Sequence, residues 1–186
     1  MRKGYFLFIF LNLLVCDRNL IGQIPSLYEL KNGKISFFSY APQEIIKASS
    51  DKIKGLINPS QNTFAVSVEN SSFGGFNSAL QQEHFNERFI ESNTYTFSSY
   101  SGKIIDKVDW LKDGTNKVRV KGKLIIHGIS QERILPVVIT IKNGQINVSA
   151  SFKVFLSDYE INIPSIVNQK ISEQIDVAVN VNFEKK

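Results

Sequence analysis

The chain contains very few of the residues that build disulfides, metal centres and common catalytic sites. Its 186 residues include one cysteine and two histidines. One cysteine forms neither an internal disulfide nor a cysteine-rich zinc site. The sequence also has no HExxH pair and no Gly-x-Ser-x-Gly elbow. We therefore predict a protein that is not an enzyme and that holds no metal ion and no cofactor.

The chain also lacks any concentration of charge of one sign. It has 22 basic and 17 acidic residues, for a net charge of +5. Lysine and arginine are scattered, and no basic run alternates with aromatic residues as a groove for single-stranded nucleic acid requires. We therefore expect no nucleic-acid partner.

The N-terminus carries the pattern of a secretory signal. Arg2 and Lys3 precede an apolar run over residues 5–15. This run is too short to span a bilayer comfortably and has the length of a signal-peptide core. We expect export and therefore a periplasmic or secreted location.

Two cleavage sites compete in this segment. Cys16 is the cysteine of a lipoprotein site, but the bulky Val15 precedes it, whereas Gly22 offers the small residue that cleavage requires. We favour a signal peptide over residues 1–22 and a mature domain over residues 23–186. Lipid anchoring at Cys16 is the alternative.

The clearest pattern in the mature domain is a period-two alternation of apolar and polar residues. It runs through residues 118–126 and 135–141, so we expect a long antiparallel hairpin with its turn at residues 128–133. Asn32-Gly33 and Asn143-Gly144 are strong hairpin signals, and each is expected to join two strands. The longest clean alternation spans residues 145–156, and residues 175–183 close the chain in the same way.

These segments predict an all-β fold. About eight antiparallel strands with few prolines favour a sheet closed into a barrel, because closure removes exposed edges. One exception is residues 76–90, where aromatic and polar residues at four-residue spacing indicate a short capping helix. We expect Glu83 and Glu87 to face water and Phe85 and Phe89 to face the barrel mouth, where they act either as a lid over a cavity or as anchors that fix the helix to the rim.

The inward positions of the strands and the aromatic stripe of the helix are the candidate ligand-binding residues. They are Phe37, Phe64, Val66, Phe85, Phe89, Tyr100, Leu124, Ile126, Val137, Ile139, Val148, Phe152, Val177 and Val179. A barrel of eight strands either fills itself with side chains or holds one ligand. The small inward candidates Ser98, Gly122 and Ala150 favour a cavity, whereas the 14 phenylalanines favour filling.

The two histidines have structural interpretations. His84 and Glu83 are adjacent on the predicted helix, so their side chains diverge, and His84 lies on the apolar stripe. His127 precedes Gly128 at a strand end, where a side chain of this kind commonly binds a turn carbonyl.

Several motifs resemble the YceI-like family of bacterial secreted proteins. They are residues 122–130 (GKLIIHGIS), residues 83–92 (EHFNERFIES) and Ser157-Asp158-Tyr159. The resemblance extends roughly over residues 34–183, and residues 33–37 and 161–164 look most like the branch common in Bacteroidota. It implies an extended, lipocalin-like antiparallel β-barrel that holds a polyisoprenoid chain.

Three residues differ from the pattern of that family. Thr96 follows Tyr95 where proline is usual, Leu156 replaces an arginine, and Glu160 replaces a glycine. These changes lie near the expected mouth, so they bear on how a polar headgroup is held.

Three classes of function therefore remain. The first is a binding protein for an isoprenoid or other long-chain lipid. Such a protein could also contact a membrane surface, and the sequence leaves this open. The second is a ligand-free structural or stress-related barrel, and an enzyme is a distant third. The sequence makes no prediction about the oligomeric state.

Overall fold

The computed structural model describes residues 27–186, and these residues form an antiparallel β-barrel. The strands are β1 (Tyr28–Tyr40), β2 (Ile45–Ser50), β3 (Ile53–Asn58), β4 (Thr63–Glu69), β5 (Phe97–Ile104), β6 (Gly114–Ile126), β7 (Ile129–Lys142), β8 (Gln145–Phe155) and β9 (Gln174–Lys185). β1 and β3 to β9 pair in order, and β9 pairs back to β1. The prediction of a closed barrel of about eight strands is confirmed, with β2 as one extra strand.

The extra strand, β2, lies beside β1 and in line with β3. β1 pairs with β2 along Ile35–Tyr40 and with β3 only at Tyr28 and Glu29. Both pairings have the same register, and residues 51–52 separate β2 from β3. Ser49 of β2 forms two backbone hydrogen bonds, of 2.8 and 3.0 Å, with Gly74, which follows β4. β2 therefore connects the barrel to the segment between β4 and β5.

The predicted hairpin turn at Asn32-Gly33 is wrong, because both residues lie inside β1. The pairing of β1 with β9 is irregular between Leu30 and Asn32 and then continues. A Cβ atom at Gly33 would lie 2.5 Å from Val181 Cγ1 and 2.7 Å from the Asn180 carbonyl oxygen. Glycine is needed here for a close approach of strands and not for a turn.

The predicted turn at residues 128–133 is also wrong. β6 and β7 pair as far as Ile126 and Ile129, so only His127 and Gly128 form the turn. Both have positive φ, 50° and 73°, which suits a two-residue turn between twisted strands. The polar residues that follow belong to β7. By contrast, Asn143-Gly144 joins β7 to β8 as predicted.

A short helical cap covers one end of the barrel. It comprises α1 (Ala79–His84) and a π-helical turn (Phe85–Phe89), within the helix predicted at residues 76–90. The Ser78 hydroxyl accepts a hydrogen bond from the backbone N–H of Gln81, which caps α1. Glu83 and Glu87 are exposed, as expected.

The opposite end of the barrel is packed. There the buried indole of Trp110 donates a hydrogen bond to Asn62 Oδ1 at 3.3 Å, and it packs with Val108 and Tyr28. None of the helices in residues 27–186 is long and apolar enough to cross a membrane. The expected signal peptide, Cys16 and the Gly22 cleavage site lie outside the described residues.

Candidate functional site

The barrel encloses an apolar chamber of about 520 Å³. Inward-facing side chains from all nine strands contribute to its wall, and the cap covers part of the end opposite Trp110. Its volume lies in the range of about 300 to 1,000 Å³ that is usual for sites that bind small molecules. The barrel therefore has an internal space of the size that a small ligand occupies.

All the residues proposed from the sequence as candidate ligand contacts line this chamber. The strands contribute Phe37, Phe64, Val66, Tyr100, Leu124, Ile126, Val137, Ile139, Val148, Phe152, Val177 and Val179, and the cap contributes Phe85 and Phe89. Their common placement follows from period-two alternation in the strands. That they contact a ligand stays a prediction.

Further lining residues were missed for two different reasons. Ile57, Ile104 and Phe183 lie deeper in the chamber on the same strand faces, and extending the alternation would have found them. Phe73 lies between β4 and the cap, and Leu80 lies on α1, so no strand period exists to identify either residue.

One small residue of the inner face, Gly122 between Val120 and Leu124 on β6, does not itself line the chamber. The other two small candidates, Ala150 and Ser98, line the chamber. Gly122 lies opposite Gly102 of β5, and a Cβ atom on Gly122 would be 2.2 Å from the Ser101 carbonyl oxygen. Gly122 therefore allows two strands to approach each other closely.

The two buried polar residues of the chamber wall, Asn70 and Ser39, bond to the protein itself. Asn70 is 1% exposed; its Nδ2 donates to the Tyr95 carbonyl at 2.6 Å, and its Oδ1 accepts from Ser98 Oγ at 2.8 Å. Ser39 Oγ accepts from the Ser172 N–H at 2.8 Å. These groups need no ligand to satisfy them, so the interior favours an apolar chain.

The polar end of Tyr100 is also bonded to the protein. Its hydroxyl lies 3.0 Å from the carbonyl oxygens of both Val120 and Arg133, so the polar end of the side chain is anchored in the barrel wall. Burial raises the pKa of Tyr100 to about 12, and nearby Arg133 opposes this shift. The hydroxyl is therefore neutral at ordinary pH, and the ring supplies apolar surface to the chamber.

Four phenylalanines fasten the cap to the barrel. The ring of Phe37 on β1 lies 5.3 Å from Phe73, 5.9 Å from Phe76 and 5.3 Å from Phe85, measured between ring centroids. Aromatic pairs at such separations contribute about 0.5 to 1.5 kcal/mol beyond area burial. Phe85 therefore anchors the cap and also lines the chamber.

Charged and amide side chains are found around the chamber opening. Glu44 Oε1 accepts hydrogen bonds from Gln81 Nε2 at 2.6 Å and from Asn77 Nδ2 at 3.1 Å. Lys170 and His84 line the same chamber. Donors and acceptors thus collect where a polar headgroup would lie if the apolar chain were inside.

His127 has the structural role expected from the sequence. Its Nδ1 lies 3.1 Å from the Tyr159 carbonyl oxygen, its Nε2 lies 3.3 Å from Glu91 Oε1, and its ring meets Tyr95 at 4.5 Å. It connects the β6–β7 turn to the end of the cap. Within residues 27–186, no group of three or more His, Cys, Asp or Glu side chains is placed to hold a metal ion.

Solved structures with the same fold are known, although no curated protein matches the chain in sequence. A polyisoprenoid-binding domain of Saccharophagus degradans, implicated in plant cell wall breakdown, has a TM-score of 0.73 at 16% identity, over 87% of this chain and 99% of that domain. BcnA of Burkholderia cenocepacia has a TM-score of 0.68 at 14% identity, over 81% of this chain and 95% of BcnA. At these identities the likeness establishes the fold alone.

A third structure and the family comparison agree with these two. The YceI protein of Campylobacter jejuni has a TM-score of 0.55 at 20% identity, over 70% of this chain and 78% of that protein. The model of the YceI-like domain matches residues 32–183, nearly the whole barrel. The protein therefore belongs to the YceI-like domain family.

Proposed function

We propose that this protein binds one amphiphilic lipid with a long apolar chain, such as a polyisoprenoid, inside the barrel. In this role it carries or sequesters the lipid and performs no reaction on it. The observation that carries the proposal is the apolar chamber of about 520 Å³, with polar groups gathered at its opening.

The chemistry of the chamber supports a chain-like apolar ligand. Its wall is built mainly from aliphatic and aromatic side chains, and the buried polar groups Asn70 and Ser39 are bonded to the protein. Burial of apolar surface contributes about 25 cal/mol per Å², so a long hydrocarbon gains more here than a polar metabolite. The Saccharophagus domain with the same fold is described as polyisoprenoid-binding.

A fluorescent polyprenyl probe tests this function. We expect saturable binding of one probe per chain. Val66→Phe adds a ring inside the chamber, whereas Ala65→Phe adds the same ring on the exposed outer face. Narrowing the chamber should weaken probe binding by about tenfold or more, and the outer variant should stay within about twofold of the unaltered protein. If neither the polyprenyl nor a fatty-acyl probe binds saturably, the ligand-free structural barrel replaces this proposal.

We further propose that the protein works outside the cytoplasm, after cleavage near Gly22. The support is the basic start and apolar run of residues 1–15. N-terminal sequencing of protein from its host should start near Gln23. A lipid-modified Cys16 at the N-terminus would instead establish the lipoprotein alternative.

A further inference from the structure

Large apolar side chains are exposed around the chamber opening, at the end of the barrel that the cap partly covers. Ile166 is 89% exposed, and Tyr40, Ile45 and Leu80 are each 57% exposed. We call these four residues the apolar rim. They come from three places: the adjoining ends of β1 and β2, α1, and the 3₁₀ turn Ser165–Val167.

Hydrogen bonds hold these three segments together around the opening. The Gln43 N–H donates to the Gln169 carbonyl at 2.9 Å, and Asn77 Nδ2 donates to the Ile45 carbonyl at 3.0 Å. Leu80 of the rim lines the chamber, as does Val167, the neighbour of Ile166. The rim is therefore continuous with the chamber surface.

The charges beside the rim are mixed. Lys47, two residues after Ile45, and Lys170, which lines the chamber, are exposed, while Glu83 is exposed on α1 and Glu44 is half-buried at the opening. Balanced charges do not create the single-sign field that directs a protein to anionic lipids. Exposed apolar side chains with balanced charges beside them instead suit a partner that has a surface of low net charge over an apolar interior.

We infer that the apolar rim docks on a lipid bilayer with an uncharged or zwitterionic surface and inserts its side chains at the boundary between headgroups and acyl chains. The ligand then passes between bilayer and chamber without crossing water. This inference rests on the proposed function, since a long-chain lipid resides in bilayers. A protein partner fits less well, because covering the rim would obstruct the opening that the ligand uses.

Sedimentation with phosphatidylcholine vesicles tests the docking. The protein, purified from its host with its native N-terminus, is compared with the double variant Ile45→Asp/Ile166→Asp, in which neither altered residue lines the chamber. Leu111→Asp is the matched control, because Leu111 is 55% exposed at the closed end. We expect the double variant to lose vesicle affinity by about tenfold or more and the control to change less than about twofold. Equal affinities for all three proteins would overturn the inference.

A reporter variant gives a second test that does not depend on losing binding. Ile166→Trp places an indole on the rim, and Leu111→Trp places one at the closed end. On addition of vesicles, the emission of Ile166→Trp should shift to shorter wavelength, and that of Leu111→Trp should not. A shift in neither variant, or the same shift in both, contradicts docking through the rim.

Loading of the polyprenyl probe from detergent solution separates this inference from the proposed function. The double variant should load the probe from detergent as the unaltered protein does, and it should load more slowly from vesicles. If the unaltered protein loads from detergent but does not bind vesicles, the docking inference fails and the proposed function stands. If it takes up no probe from either source, the proposed function itself fails.

Discussion

Replacing Ala150 with phenylalanine should distinguish a hollow barrel from a filled one. Ala150 lies on β8 between Val137 of β7 and Val179 of β9, and all three residues line the chamber. In a well-packed core an added ring costs about 1 to 3 kcal/mol. In an empty apolar chamber, filling commonly stabilises a protein by about 0.5 to 2 kcal/mol. Because Ala150 faces the chamber, we expect Ala150→Phe to keep or raise the free energy of unfolding while it weakens polyprenyl binding.

Urea denaturation followed by circular dichroism measures the first quantity, and titration with the probe measures the second. Ser151→Phe is the matched control, because the adjacent Ser151 faces outward and is exposed. The control should leave probe binding unchanged. If Ala150→Phe lowers the free energy of unfolding by more than about 1 kcal/mol and Ser151→Phe does not, the chamber is filled in solution and the reasoning fails.

Three further variants test the register, a close strand contact and an ion pair. Phe152→Asp should lower the free energy of unfolding by about 2 kcal/mol or more, because it places a charge in the apolar chamber, whereas Ser151→Asp should not. Gly33→Ala should cost about 1 to 3 kcal/mol, since its Cβ would lie 2.5 Å from Val181 Cγ1. Hydrogen bonds from Arg119 lower the pKa of Asp106 from 3.8 to about 2. The ionised carboxylate therefore stabilises the fold above pH 4, and this contribution is lost as the pH falls towards 2. The stability difference between the protein and Asp106→Asn should therefore shrink over that interval in acid denaturation.

Each of these predictions has an outcome that contradicts it. Equal destabilisation by Phe152→Asp and Ser151→Asp would mean that the register of β8 is wrong. Gly74→Ala serves as the control for Gly33, because nothing lies within 4 Å of a Cβ at Gly74. Equal costs at the two glycines would remove the strand contact as the cause. A constant difference between the protein and Asp106→Asn from pH 5 to pH 2 would show that the ion pair with Arg119 does not form in solution.

Sequence alone predicted the features that depend on side-chain alternation. In β8, Phe152 was placed inward and Ser151 outward, and the structure agrees. A shift of one residue would expose the whole apolar face, so a long alternating strand specifies its register strongly. The same argument identified Val177 and Val179 as lining residues without any knowledge of their neighbours.

What the sequence did not predict depends on contacts between distant segments. Asn32-Gly33 looks like a turn, yet Gly33 is required by a close approach to Val181, nearly 150 residues later. His127 enters a left-handed conformation that glycine or asparagine usually adopts, and its contacts with Tyr159 and Glu91 help to hold it there. The apolar rim was missed because its residues come from separate segments, namely the ends of two strands, a short helix and a 3₁₀ turn, which no single periodic pattern connects.

Mass spectrometry of the protein purified without detergent from its own host tests the central claim most directly. Native spectra should contain a species heavier than the chain by the mass of one lipid, and organic extraction should release a long-chain lipid with an isoprenoid or similar apolar tail. In Ala150→Phe, prepared in parallel, the bound fraction should fall. Spectra that show only the bare chain, together with extracts that contain no long-chain lipid, would contradict the account.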